Sequence, residues 1–256
     1  MNRKNNKQNP YDPEIFDSDV RKRVGNFSRN KALRSLSKKW FIESFGRGYV
    51  YNFYWFGIPI VQTPQDMVAM QELIYSVKPD LIIETGIARG GSLIFYASLL
   101  KLLGGKRKVI GIDININREN VVNTSKIRKH KFSKYITMLE GSSTDPNIIN
   151  RVKKIAKNYK KIFVCLDSAH SHGHVLKELQ AYSDLVSRGS YIVIFDTVAE
   201  YLPRKIIGER PWGKGNSPAT AVKSFLSNNK NFVVDSWIEN KILITSNPGG
   251  FLKRIR

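Results

Sequence analysis

The sequence predicts an α/β fold: a doubly wound, mostly parallel sheet of seven strands, closed by an antiparallel C-terminal hairpin and preceded by a helical, aromatic-rich extension. Three observations predict it. Short apolar runs alternate with longer runs of helical period, the pattern of parallel strands joined by crossover helices. The segment DLIIETGIARGGS, Asp80 to Ser92, places a glycine-rich turn directly after a buried-looking strand. Two β-rich stretches, NFVVDSW and KILITSN, stand side by side near the end, separated by a short turn around Asn240.

The elements follow in order. Residues 1–60 read as a basic, aromatic-rich extension or lid, with one helix from about Asp17 to Phe45 and then YVYNFYWFGIPI. That aromatic cluster fits a lid or an oligomer contact, and equally a strand pair packed on the core. Residues 61–256 form the main domain. Thr63-Pro64-Gln65-Asp66 reads as a capped helix start, with proline in the first turn and an acid completing the box, and the helix runs to Val77. Strands are expected at 80–86, 108–114, 135–141, 161–168 and 190–197, with helices near 91–104, 118–129, 145–158, 172–187 and 217–229.

The chemistry is expected at the carboxyl ends of the strands, where an open α/β sheet forms its ligand crevice. Glu84 ends the first strand, and Gly86, Gly90 and Gly91 open the following helix at Ser92. Glycines let backbone approach a ligand, and the helix start offers free N–H groups. Asp113 ends the second strand, where a carboxylate suits ribose hydroxyls. The spacing E-x-G-x-x-x-G-x-S departs from the dinucleotide pattern, because Ala88 stands two residues after Gly86. It resembles motif I of the class I S-adenosylmethionine (SAM) methyltransferases, and that resemblance implies a turn cupping the methionine end of SAM.

The fourth strand ends LDSAHSHGH and the fifth VIFDT, which sets Asp167 and Asp196 on one rim. Two adjacent carboxylates repel, and a hard cation such as Mg²⁺ relieves that repulsion while presenting a substrate hydroxyl of lowered pKa. His170, three residues past Asp167, stands where it can act as general base. His172 and His174 fall at a helix start, one of them as a cap or supporting partner. A three-histidine zinc site is the rival, against which i, i+2, i+4 spacing argues.

The whole of residues 52–250 resembles the cephalosporin hydroxylase family, built as SAM-dependent O-methyltransferases. The resemblance is carried by KPDLIIETGIARGGS, VIGIDI, LEGSSTDP, VCLDSAHSHGHVLKELQAYSDLVSRGSYIVIFDT and PWGKGNSPATAV. It implies Asp167 and Asp196 as metal ligands and His170 as catalytic base. It also implies Glu84, Gly86, Asp113 and the Ser142-Ser143 pair as SAM contacts, with a serine beside the adenine edge. The acceptor it implies is a sugar or glycoside hydroxyl, in a cell-surface polysaccharide or natural-product pathway, and its members often form homo-oligomers. One position departs from the family pattern. The usual Glu-Asp pair at the end of the fifth strand is here Phe195-Asp196, which leaves waters or a nearby acid such as Glu200 to complete the cation's shell.

Composition sets outer limits. The 256 residues carry a net charge of +21, spread along the chain, which favours an anionic acceptor or peripheral contact with an anionic membrane. No nucleic-acid-binding signature accompanies the charge, so nucleic acid is not the expected partner, although an RNA methyltransferase would use it. A degenerate SAM- or partner-binding protein is a further alternative. A nicotinamide-dependent reductase is suggested by Tyr201 and Lys205 at Y-x-x-x-K spacing, but Pro203 interrupts that helix. The single Cys165 reads as a core residue and excludes a disulfide framework. The polar N-terminus and the absence of long apolar runs point to a cytoplasmic protein.

Overall fold

The computed structural model describes residues 13–116 and 124–256. The extension forms two helices, α1 (Pro13–Arg29) and α2 (Lys31–Phe45), where the sequence suggested one. Asn30 breaks them. Its extended backbone ends α1, and its side chain caps α2 by accepting from Leu33 N–H at 3.0 Å. An antiparallel pair follows, β1 (Phe53–Trp55) and β2 (Ile58–Ile60), joined through Phe56 and Gly57, both at positive φ. This pair packs on the core as a wall. Trp55 meets the Phe95 ring edge-on and donates its indole N–H to Ser98.

Helix α3 (Pro64–Val77) begins as expected, with Thr63 Oγ1 accepting from Asp66 N–H. Alternation then takes over: β3 (Leu81–Thr85), α4 (Gly91–Leu103), β4 (Lys108–Asp113), α5 (Thr124–Lys129), β5 (Ile136–Glu140), α6 (Pro146–Ala156), β6 (Ile162–Leu166), α7 (His172–Tyr182) and β7 (Tyr191–Ile194). The first residues of the helix expected at 118–129 lie outside the described residues, and the helix expected to 187 ends at Tyr182, with a single 3₁₀ turn after it. A four-residue helix α8 (Arg204–Ile207) and α9 (Pro218–Asn228) precede the closing elements β8 (Phe232–Val234), α10 (Ser236–Ile242) and β9 (Phe251–Arg254).

The sheet runs β5-β4-β3-β6-β7-β9-β8, with β9 antiparallel to both neighbours. One apolar layer joins the sheet to α3, α4, α10 and the hairpin; the other joins it to α6, α7 and α9.

The closing hairpin corrects the expectation. KILITSN is not its second strand; the tail FLKRIR supplies that strand. Asp235 caps α10 through Trp237 N–H, so the chain leaves β8 as a helix, and Leu243 at φ 61° then turns it. Gly250 admits β9 beside β7, because a Cβ there would lie 2.2 Å from the carbonyl oxygen of Ile194. Among the described residues, no helix is long and apolar enough to cross a membrane.

Candidate active site at the switch point of the sheet

Strands β3 and β6 run side by side at the centre of the sheet, and the connections from their carboxyl ends depart in opposite directions. This is the crevice where open α/β sheets bind ligands. The two connections touch. Gly86, at φ 84°, is the only residue type that fits there, since a Cβ would stand 2.0 Å from the backbone oxygen of Asp167.

On the β3 side, Glu84 is fully buried and its Oε2 accepts from Ser92 Oγ at 2.8 Å. Burial pushes this carboxyl up to about 8, opposed by hydrogen bonding to Ser92 and Tyr96 and reinforced by Asp113. Gly90 holds a left-handed backbone at the start of α4, whose first N–H groups face the crevice region. Asp113 lies opposite. Its Oδ2 accepts from the N–H of Ile87 at 2.9 Å and of Ala88 at 3.4 Å, so this acid braces the glycine turn. Ser142 Oγ pairs with Thr144, whereas Ser143 is buried and its hydroxyl meets His174 Nε2 at 3.1 Å. Ser143 therefore belongs to a buried polar network with His174, Ser168 and Glu178.

Beside this turn, Asp167, His170 and Asp196 converge, each offering a ligand atom within 4.8 Å of the others. His170 Nε2 stands 3.5 Å from Asp196 Oδ2. Asp196 reaches the cluster through a left-handed backbone (φ 53°), fixed by its N–H donating to Asn247 Oδ1. Desolvation holds the Asp167 carboxyl well above the usual range, and the nearby carboxylates of Asp196, Glu84 and Glu178 push it the same way. A group of this kind is relieved by a cation. Two carboxylates and an imidazole at this spacing fit a divalent ion with water completing its shell. Phe195 adds nothing to that shell, because it is 2% exposed within the apolar layer. Glu200 does not replace it. Its carboxylate accepts from Gly215 N–H and from Ser217 Oγ at 2.7 Å, anchoring the 211–217 loop instead.

That loop brings a residue the sequence did not single out. Trp212 meets His170 edge-on, with ring centroids 5.1 Å apart, and Arg210 lies over the Trp212 face. PWGKG marked the loop in the sequence, but only its anchoring by Glu200 reveals which ring it presents. The three-histidine zinc site does not form: His172 bonds Thr220 and His174 faces Ser143, Ser168 and Glu178. The Tyr201/Lys205 pair also fails as a reductase dyad, since Pro203 starts a new helix between them and Tyr201 lies under Lys38. A separate cavity of about 590 Å³ opens between α2, the turn after Asp196 and α10, lined in part by Arg34, Lys38, Val198 and Tyr201.

A family model described as "Rhamnosyl O-methyltransferase/CmcI" matches residues 47–255. The chain belongs to that family. Among its relatives is the rhamnosyl O-methyltransferase of Mycobacterium tuberculosis, 32% identical over 219 residues, covering 83% of this chain and 84% of the relative. The protein of the same name from Mycobacterium leprae is 30% identical over 161 residues, covering 60% of this chain and 67% of the relative. Solved structures share the fold. CmcI with Mg and SAM superposes with a TM-score of 0.56 at 19% identity, covering 80% of this chain and 78% of that one. The fold is that of the SAM-dependent methyltransferases, and the reaction class of this rhamnosyl O-methyltransferase/CmcI member is O-methyl transfer.

Proposed function

We propose that this protein transfers the methyl group of SAM to a sugar hydroxyl, with a divalent cation such as Mg²⁺ held by Asp167 and Asp196 and His170 as the base. The observation that carries this reading is the meeting of Asp167, His170 and Asp196 beside the glycine turn at the switch point. The naming of its mycobacterial relatives as rhamnosyl O-methyltransferases supports a sugar as acceptor. Glu84, Gly86, Gly90, Ser92 and Asp113 are the residues that would hold SAM, which when bound supplies an electrophilic methyl. A cation at Asp167 and Asp196 would supply Lewis acidity toward an acceptor hydroxyl.

The chain's own residues do the rest. The edge of Trp212 limits rotation of the His170 imidazole, whose Nε2 stands beside Asp196. A neutral Nε2 in that position can take the acceptor's proton as the oxygen attacks. Fixing both partners in one crevice supplies much of the rate by orientation alone. Arg34 and Lys38 in the neighbouring cavity favour an acceptor with an anionic group, such as a nucleotide-linked sugar.

The test is methyl transfer from labelled SAM to nucleotide-sugar and glycan fractions, with and without EDTA and added Mg²⁺. Transfer that EDTA stops and Mg²⁺ restores is the expected result. Absence of transfer to every such fraction overturns the sugar assignment.

A further inference from the structure

The glycine turn holds a group of polar atoms that the reading above leaves unused. Gln62 is 3% exposed, yet neither its Oε1 nor its Nε2 makes a well-formed hydrogen bond. Glu84 Oε1 is likewise without a well-formed bond, and the Tyr96 hydroxyl reaches both Glu84 and Gln62 only loosely. Buried polar groups are nearly always paired, so a cluster of poorly paired ones calls for a missing partner. Gln62 also lines a small cavity, of about 20 Å³, together with Gly86–Ser92 and Asp167. The side chain that carries this amide therefore borders the turn that the fold reserves for a ligand.

The backbone that carries this side chain is held from both sides. Strand β2 lies on the first turn of α4 so closely that a Cβ on Gly91 would meet the Pro59 carbonyl oxygen at 2.3 Å and Ile60 Cα at 2.6 Å. One residue beyond Gln62, the buried Thr63 is committed to capping α3. Gln62 is pinned between these two anchors. A carboxamide carries an acceptor and two donors on one rigid plane. It is a neutral match for an α-ammonium and α-carboxylate presented together, and Glu84 Oε1 offers a further acceptor for the ammonium.

We propose that Gln62 is a cofactor-positioning residue, supplied by the extension's hairpin, that recognises the amino-acid end of SAM. The assignment rests on SAM being the ligand of this crevice. It makes the hairpin a fixed wall of the cofactor site. It also predicts an unusual separation of effects. Without ligand the Gln62 amide has only its loose contact with the Tyr96 hydroxyl, so replacing it with an apolar side chain removes a desolvation cost and little hydrogen bonding.

The experiment is calorimetric titration of S-adenosylhomocysteine (SAH) and of methylthioadenosine, which lacks the ammonium and carboxylate, into wild type, Gln62→Leu and Gln62→Met, with thermal unfolding of each free protein. The proposal expects SAH to weaken by roughly tenfold or more in both variants, methylthioadenosine affinity to stay unchanged, and the free-protein Tm to hold or rise. Unchanged SAH affinity, or a parallel loss for both ligands with a lowered Tm, shows a merely structural glutamine and overturns it. If Gln62→Leu does not fold, Gln62→Met, which preserves side-chain length, decides between these outcomes; if neither folds, Gln62 is structural and the proposal is overturned. Wild type binding neither ligand overturns the SAM reading itself, which separates that failure from this one.

Discussion

Asp167 and Asp196 follow strands that pair directly, so the sheet brings them to one rim, and the left-handed backbone at Asp196, held by Asn247, completes their approach. Replacing either with Asn keeps the shape and removes a charge. Asp167→Asn or Asp196→Asn should lower kcat by about 10² or more, while leaving SAH affinity nearly unchanged, as read by initial rates and calorimetry. Gly86 has a different role. Gly86→Ala would force a Cβ into the Asp167 carbonyl at positive φ, and the cost should be about 2 kcal/mol or more, seen as a reduced urea midpoint. Both strand-end acids and the glycine were visible in the sequence, because side-chain chemistry at a strand end needs no partner to be recognised. Trp212 and Gln62 were not, since neither residue type signals a site until the fold shows what it faces.

Individual elements show where local signals suffice and where they fail. The Thr63 cap was legible because proline and an acid follow it at fixed spacing, and Asp66 then ties that helix to the 245–246 segment through Thr245 and Ser246. Thr63→Ala should cost about 1–2 kcal/mol in equilibrium urea unfolding, losing the cap and a donor to buried Asp66 together. The hairpin strand was misplaced for the opposite reason. KILITSN has strand-like residues, but Asp235 starts a helix and pairs with Tyr191. Space beside β7 is open only where Gly250 removes a side chain. At the N-terminus, β1–β2 pack on α4, and the family match begins at residue 47. Removing residues 1–29 should leave SAH binding intact, whereas removal through residue 60 should abolish it, as measured by calorimetry on whatever remains soluble.

Across the whole molecule, three acids share one sign of pH dependence. Asp66, Glu84 and Asp167 all have carboxyls raised by burial, with Glu84 at about 8. The folded chain therefore keeps protons that the unfolded chain releases above about pH 4. Stability from these groups is fully present below that point and declines as pH rises, for Glu84 until it passes about 8. The Tm of the free protein should fall from pH 5 to pH 8, and Glu84→Gln should flatten part of that slope. A Tm that rises over this interval would contradict the assignment.

The sequence by itself determined the alternation of strands and helices between Leu81 and Ile194, the glycine turn, and the acids at the strand ends, because these follow from local periodicity and from residues whose chemistry has few other uses. The tertiary structure alone decided which strand closes the sheet, which ring meets His170, and that Gln62 lies buried beside the glycine turn. Those depend on contacts between residues far apart in the chain, and no local pattern encodes what space its neighbours will leave.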